Sequence, residues 1–255
     1  MSRNNWFDDE FDDPPSTNGW FEDLYSEGLL AEVIGPIKSG KEASVFLCRA
    51  GGQASGGLLA AKAFHPRQAR NFKNDAVYKA GRVILDARSR RAAAKKSRFG
   101  KEVEQGFWIY QEWETLRMLH SAGADVPRPV YLGSGVILME YLGDQDAPAP
   151  QLKDVTLAAD EVRPLFDRLL WNVRRMLANN IVHADLSPYN VLYCEGHLRI
   201  IDFPQAVDAR TNRNARDLLD RDLENVCHHF ARYGLPEDAR RLSGDLWTRF
   251  LFARL

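Results

Sequence analysis

The chain is poor in cysteine: three residues, Cys48, Cys194 and Cys227, dispersed through 255 positions and without a C-x-x-C pair. An odd, scattered set excludes a disulfide framework and a cysteine zinc site, and it suits a reducing compartment. The chain also lacks charge of one sign. Thirty-four Lys and Arg against thirty-five Asp and Glu leave a net charge of −1, so nothing in the overall balance demands nucleic acid. No apolar run reaches the length of a membrane span, and the first residues are acidic and polar, unlike a secretory leader. A cytoplasmic protein with no membrane partner is expected. What remains is ordinary for a folded chain, 45% hydrophobic and 27% charged, long enough for one two-lobed domain.

Against that plain background one segment stands out. His183-Ala184-Asp185-Leu186-Ser187-Pro188-Tyr189-Asn190 reads H-x-D-x-x-x-x-N, and Ile201-Asp202-Phe203 follows shortly after. Kinase-like folds use this layout for phosphoryl transfer, which needs a carboxylate near the attacking hydroxyl and hard oxygen ligands for a divalent ion. Asp185 suits the first task, as catalytic carboxylate. Asn190 and Asp202 suit the second, with Mg²⁺ the expected ion and Mn²⁺ an alternative. Two strand-like stretches, Asn190 to Cys194 and Leu198 to Ile201, flank a turn at Glu195-Gly196-His197. A tight hairpin would bring Asn190 and Asp202 together. His183 reads as a hydrogen-bonding brace for the loop rather than a proton carrier.

Upstream, alternating apolar residues predict a small antiparallel sheet. Its strands run near Leu30 to Ile37, Ser44 to Arg49 and Leu58 to Phe64, with a later one ending in Ile137 to Gly143. Lys62 lies on the third strand between Ala61 and Ala63. Glu112 lies on a helix expected from about Glu104 to Ala122. A strand lysine held by a helix glutamate is how kinase-like folds fix the α- and β-phosphates. Ser39-Gly40-Lys41-Glu42-Ala43 is a small-residue turn between strands whose backbone N–H groups can face phosphate. It is not a Walker loop, for the G-x-x-x-x-G-K spacing is missing. Met139-Glu140-Tyr141-Leu142-Gly143 suits an adenine slot, with the Glu140 carbonyl accepting, the Leu142 amide donating and Met139 lining the back. ATP is therefore the expected cofactor.

The remaining segments are predominantly helical: Leu157 to Asn179, about Asn214 to Tyr233, and Glu237 to Leu255. The expected division is a mobile acidic and aromatic tail over 1–24, an N-lobe over 25–139, a hinge over 140–144 and a C-lobe over 145–255. Within the N-lobe, residues 65–105 form a strongly basic stretch, read as an exposed excursion that is solvated, covers the phosphates, or contacts RNA.

Together these residues resemble the RIO family of atypical protein kinases, its first subfamily most closely, in a compact bacterial-type form. The resemblance runs from about Glu27 to Gly234. It rests on Ser39 to Ala43, Lys62, Asn74 to Tyr78 with Gly81-Arg82, Trp108 to Leu119 around Glu112, His183 to Asn190, and the distinctive Ile201-Asp202-Phe203-Pro204-Gln205. It implies an α+β, two-lobed kinase-like fold: an N-lobe antiparallel sheet plus a long helix, and a mainly helical C-lobe lacking activation-loop and substrate-docking segments. It implies a serine/threonine protein kinase that autophosphorylates, and an Asp202 that can itself become an aspartyl-phosphate. Two other uses stay open at this point. One is an ATPase switch on ribosomal precursors or ribosomal RNA. The other is a small-molecule kinase of the aminoglycoside or choline type, against which Ser187 and the Gly40-Lys41-Glu42-Ala43 loop argue.

Overall fold

The computed structural model describes residues 18–54, 57–65, 98–144 and 146–255. Residues 1–17 of the expected tail and 66–97 of the basic stretch lie outside them. The described residues fall into two compact units. The first holds the chain up to β3 and then β4 and β5; the second holds the long helix α2 and everything from Leu142 onward.

The first unit begins with α1 (Asn18–Ser26), followed by β1 (Leu30–Ser39), β2 (Ala43–Ala50), β3 (Leu58–Phe64), β4 (Pro129–Gly133) and β5 (Val136–Glu140). The five strands form one antiparallel sheet in the order β1-β2-β3-β5-β4. Period-two alternation sorts their side chains. Phe46 and Cys48 of β2, Leu59, Ala61 and Ala63 of β3, and Val136 and Leu138 of β5 point to one face and bury together. Lys62 falls on the opposite face of β3, where its ammonium lies 5.3 Å from the Phe64 ring centroid.

The start of the chain departs from expectation. Residues 18–24 belong to α1 rather than to a mobile tail. Phe21 and Leu24, three apart on one helical face, bury in the sheet's apolar cluster, and Phe21 meets Phe46 edge-on at 5.4 Å. Gly28, at φ +69°, ends the helix in a conformation that disfavours side chains. Gly51 passes so close to it that an added Cβ would lie 2.2 Å from the Gly28 carbonyl oxygen.

In the second unit, α2 spans Arg98–Ser121, starting earlier than the sequence suggests. It buries Trp108, Ile109, Glu112, Thr115, Leu116 and Leu119, and the Trp108 indole donates to the Pro204 carbonyl at 2.8 Å. This bond, just past Asp202, helps explain why α2 groups with the second unit and not with the sheet it follows in sequence. A short 3₁₀ turn (Leu152–Asp154) precedes α3 (Ala159–Ala178), whose buried Val162, Leu165, Phe166, Leu169, Leu170, Val173, Met176 and Leu177 keep helical spacing. Then come β6 (Ile181–Val182), β7 (Val191–Cys194), β8 (His197–Ile200), β9 (Val207–Asp208), α4 (Ala215–Ala231) and α5 (Ala239–Leu251). β7 and β8 form the expected hairpin, turning through Glu195 and Gly196, both at positive φ. β6 pairs with β9, so the 183–190 loop leaves one small sheet and enters another. Phe166 of α3 and Phe230 of α4 meet edge-on at 5.3 Å in the helical core. No helix among the described residues is long and apolar enough to cross a membrane.

Candidate active site

Residues 183–190 connect β6 to β7, and most of the backbone polar groups along them are tied down. The Asn190 side-chain amide donates to the Asp185 carbonyl at 2.9 Å and to its carboxylate at 3.1 Å. The Asn190 N–H closes the loop onto the Ser187 carbonyl. The 3₁₀ segment supports the far side: the Lys153 N–H reaches the Pro188 carbonyl, and the Gln151 amide reaches the Tyr189 carbonyl at 2.7 Å. An irregular loop whose polar groups are satisfied this fully can hold a side chain in one orientation.

Asp202 is placed by the hairpin. The Ile201 N–H donates to the Asn190 carbonyl at 3.0 Å, one step beyond the Val191–Ile200 pair, and so the residue after Ile201 is delivered to the same end. Asp202 sits at φ +71° and Ala184 at φ +68°. Left-handed backbone at two non-glycine residues flanking one constellation is strain of the kind found at functional sites.

His183 behaves as a brace. It accepts the Asp185 N–H on Nδ1 at 3.3 Å, and its Nε2 donates to the Ile201 carbonyl at 3.2 Å, which fixes the tautomer with hydrogen on Nε2. Its ring packs on Phe203 at 5.0 Å. One imidazole thus links the Asp185 loop to the Asp202 loop.

The sequence reading missed the group beneath the loop. Asp222 of α4, 2% exposed, accepts the Ala184 N–H at 2.8 Å and the Leu186 N–H at 2.9 Å, the two amides on either side of Asp185. The adjacent Arg221 guanidinium donates to the Ala184 carbonyl, and the Asn225 amide donates to the Leu186 carbonyl at 3.1 Å. A signal was present: Asp222 occupies the buried stripe of α4 with Leu218, Leu219, Leu223 and Val226, where a carboxylate is out of place unless it has partners.

Burial pushes Asp185 above the ordinary carboxylate range. The Asn190 hydrogen bond opposes this, the Asp202 charge adds to it, and the Arg221 charge opposes it. Asp185 is thus a better proton acceptor than a free carboxylate, and two anionic side chains share one end of the unit. That is the condition a divalent cation relieves. Among the described residues no three His, Cys, Asp or Glu side chains converge as a metal cage. Asn190 and Asp202 offer two hard oxygen donors, which fits Mg²⁺ or Mn²⁺ completed by phosphate and water and does not fit a site for a soft, sulfur-seeking metal.

Burial also pushes Asp222 up, to about 7, against the pull of its two amide bonds. From the ordinary 3.8 to about 7, the folded chain holds a proton there that the unfolded chain has released. This group's contribution to stability therefore falls as pH rises through that window and is level above it. Melting temperatures of the wild type and Asp222→Asn across pH 5 to 8 measure this. The difference between them should move in favour of the Asn variant as pH rises, and a constant difference would refute the assignment.

The other expected residues take these places. Ser39, Gly40 and Lys41 are exposed at the β1–β2 turn, where the Gly40 N–H donates to the Ala43 carbonyl at 3.0 Å. Lys62 is half-buried on β3, opposite Val45 and Ile137. Met139 and Glu140 end β5 opposite Ala60 and Leu59. These belong to the first unit. Glu112, buried on α2, and Leu142, whose carbonyl accepts the Ala149 N–H, belong to the second, with Asp185, Asn190 and Asp202.

An antiparallel five-stranded unit, a mainly helical unit and this loop pair define a protein of kinase-like fold. A family profile described as RIO domain matches residues 45–242, and the chain belongs to the RIO family of kinases. It is 38% identical over 137 residues to the RIO-type serine/threonine-protein kinase Rio1 of Thermoplasma acidophilum, covering 53% of this chain and 69% of that one. It is 31% identical to the Haloferax volcanii protein of the same name, over 86% of this chain and 70% of the relative. Against the human serine/threonine-protein kinase RIO1 the identity is 32% over 83% of this chain, which spans 35% of the human length. Among solved structures, the Rio2 kinase–ADP/Mg²⁺–phosphoaspartate complex from Chaetomium thermophilum matches with a TM-score of 0.58 at 19% identity, covering 89% of this chain and 69% of that one. This likeness shows the fold.

Proposed function

We propose that this chain transfers the γ-phosphoryl group of ATP to serine or threonine hydroxyls of a protein acceptor, its own included. The observation that carries the reading is Asp185: a solvent-reachable carboxylate made more basic than usual by partial desolvation, held by Asn190, in a loop fastened on both sides. In the step, the acceptor hydroxyl oxygen bonds to the γ-phosphorus and the bond to the β–γ bridging oxygen breaks. ADP leaves, and the hydroxyl proton passes to Asp185. Asn190 and Asp202 would hold Mg²⁺, which supplies neutralisation of phosphate charge when bound. In the first unit Ser39, Gly40 and Lys41 would take phosphate oxygens, Lys62 the α- and β-phosphates, and Met139 and Glu140 the adenine; in the second, Glu112 and Leu142 remain nucleotide-binding candidates. The relatives named Rio1 support placement near the first subfamily.

A second reading keeps the site and changes the acceptor: Asp202 itself takes the phosphoryl group and water then releases it, as in an ATPase switch. The strained Asp202 backbone favours it, and so does the phosphoaspartate named in the Rio2 complex. Contact with ribosomal precursors goes with this reading.

Incubation with γ-labelled ATP and Mg²⁺, followed by acid and hydroxylamine treatment of the labelled protein, separates the two. Phosphoserine or phosphothreonine survives both treatments; an acyl-phosphate is lost to hydroxylamine. Absence of any label or ADP formation overturns the phosphoryl-transfer assignment.

A further inference from the structure

The segment that carries Asp202 is gripped on both sides by a stretch of chain remote from it in sequence. Ahead of it, the Ile200 N–H donates to the carbonyl of Asp125, in the turn that follows α2, at 2.8 Å. Beyond it, the indole N–H of Trp108, buried on α2 itself, donates to the Pro204 carbonyl at 2.8 Å. Asp125 is fixed in turn by α3. The Asn172 side-chain oxygen accepts the Asp125 N–H at 2.8 Å, and the Asn172 amide donates to the Asp125 carboxylate at 2.8 Å. Arg168 grips that carboxylate with two bonds of 2.6 and 2.9 Å. Between the two grips lies the left-handed backbone of Asp202, at φ +71°.

The two grips act on different sides of one residue. The Asp125 bond, the Ile201 N–H bond to Asn190 and the His183 bond to the Ile201 carbonyl all fall before the Asp202 α-carbon. They fix the entry to the turn, and a left-handed φ, ψ pair needs its exit fixed as well. The exit runs through Phe203 and Pro204. The Ala206 N–H returns to the Phe203 carbonyl at 3.1 Å, a bond local to the exit itself. Pro204 has no N–H, so a backbone hydrogen bond can hold it only at the carbonyl. That is the group Trp108 binds. The indole bond therefore ties the exit to α2, as the Asp125 bond ties the entry to the turn after it.

We propose that Trp108 is a positioning residue for the divalent cation: through the Pro204 carbonyl, its indole N–H holds Asp202 in the left-handed turn from which the carboxylate serves the ion. This rests on the reading of Asp202 as a metal ligand. It adds a requirement which that reading lacks, namely a hydrogen-bond donor on a helix that supplies no ligand. Supporting bonds of this kind are worth about 10- to 100-fold in metal affinity.

The test uses the full chain and two probes: ATP titrated with Mg²⁺, and adenosine, which has no phosphate for an ion to bridge. Trp108→Phe removes the N–H, and so does benzothienylalanine at position 108, which keeps the indole shape. Both should raise the Mg²⁺ needed for ATP binding by about 10-fold or more and hold adenosine affinity within about twofold. Fluorotryptophan at the same position keeps the N–H and should match the wild type within about twofold on both probes. Without metal or nucleotide, hydrogen exchange of the Ala206 amide should quicken by about 10-fold in the chains lacking the N–H, while that of Ile200 stays as it was. In Asp202→Asn with Trp108→Phe, the tryptophan change should add nothing to the Mg²⁺ requirement, since it acts through Asp202. A bond that only stabilises the fold predicts otherwise. Coincident Mg²⁺ titrations for the wild type and the benzothienylalanine chain overturn the proposal. So do equal weakening of ATP and adenosine, unchanged Ala206 exchange, and full additivity in the double variant. Loss in Asp202→Asn with none in the position 108 chains overturns it while leaving Asp202 a ligand. No loss in Asp202→Asn, or a wild type that binds neither probe, overturns the underlying reading and the proposal with it. Should Trp108→Phe fail to fold, the benzothienylalanine and fluorotryptophan chains carry the same comparison.

Discussion

Asp185→Asn is expected to lower phosphoryl transfer by about 10²- to 10⁴-fold while leaving ATP affinity near wild type. The substitution is close to isosteric. An asparagine oxygen at this position can still accept from Asn190, so the loop keeps its closure. His183, Asp222, Arg221 and Asn225 bind backbone groups of the loop, and those bonds are untouched. What disappears is the proton acceptor. Burial and the Asp202 charge raise Asp185 in basicity, and an amide has none to offer. Binding should survive because the residues assigned to the nucleotide lie elsewhere in the chain. Single-turnover transfer from labelled ATP, with a separate equilibrium titration of ATP, measures both quantities. Turnover close to wild type would remove Asp185 from the mechanism. Parallel loss of binding and turnover would recast it as a structural residue.

The Asp185–Asn190 pairing was legible because its determinants are local. Asp185 and Asn190 lie in one short loop, so spacing alone places their side chains together. The hairpin that delivers Asp202 announces itself through two apolar runs and a Glu195-Gly196 turn. The support beneath the loop was not legible in the same way. Asp222 belongs to a helix far along the chain, and within that expected helix Asp220-Arg221-Asp222 is a charged run with no local sign of burial. Only the helical register of α4 shows that Asp222 shares the buried stripe with Leu219 and Leu223. The same limit explains α1. Phe21 and Leu24 sit beside acidic and polar residues, and their burial depends on Phe46, which strand pairing brings to them. The Trp108–Pro204 bond is a further case. Its partners stand 96 residues apart, and nothing in either local sequence names the other.

Asp202→Ala is expected to weaken Mg²⁺-dependent nucleotide binding by about 100-fold or more, beyond the 10- to 100-fold that loss of a supporting contact to a metal ligand costs. Of the two proposed donors, only Asp202 brings a negative charge, and for a hard dication that charge outweighs the neutral amide oxygen of Asn190. Removing it also relieves the repulsion that raises Asp185, so the site loses the anionic character that favours a cation. The backbone complicates the alanine variant. Asp202 sits at φ +71°, a region that aspartate and asparagine tolerate better than alanine does. Asp202→Asn keeps that tolerance and removes only the charge. Both variants should therefore lose metal-dependent binding, and Asp185→Asn should lose far less. Mg²⁺ titrations of nucleotide binding in the wild type and all three variants decide the matter. Loss in the alanine variant alone would trace the effect to the backbone and take Asp202 out of the ligand set. Coincident curves for the wild type and both Asp202 variants would do the same.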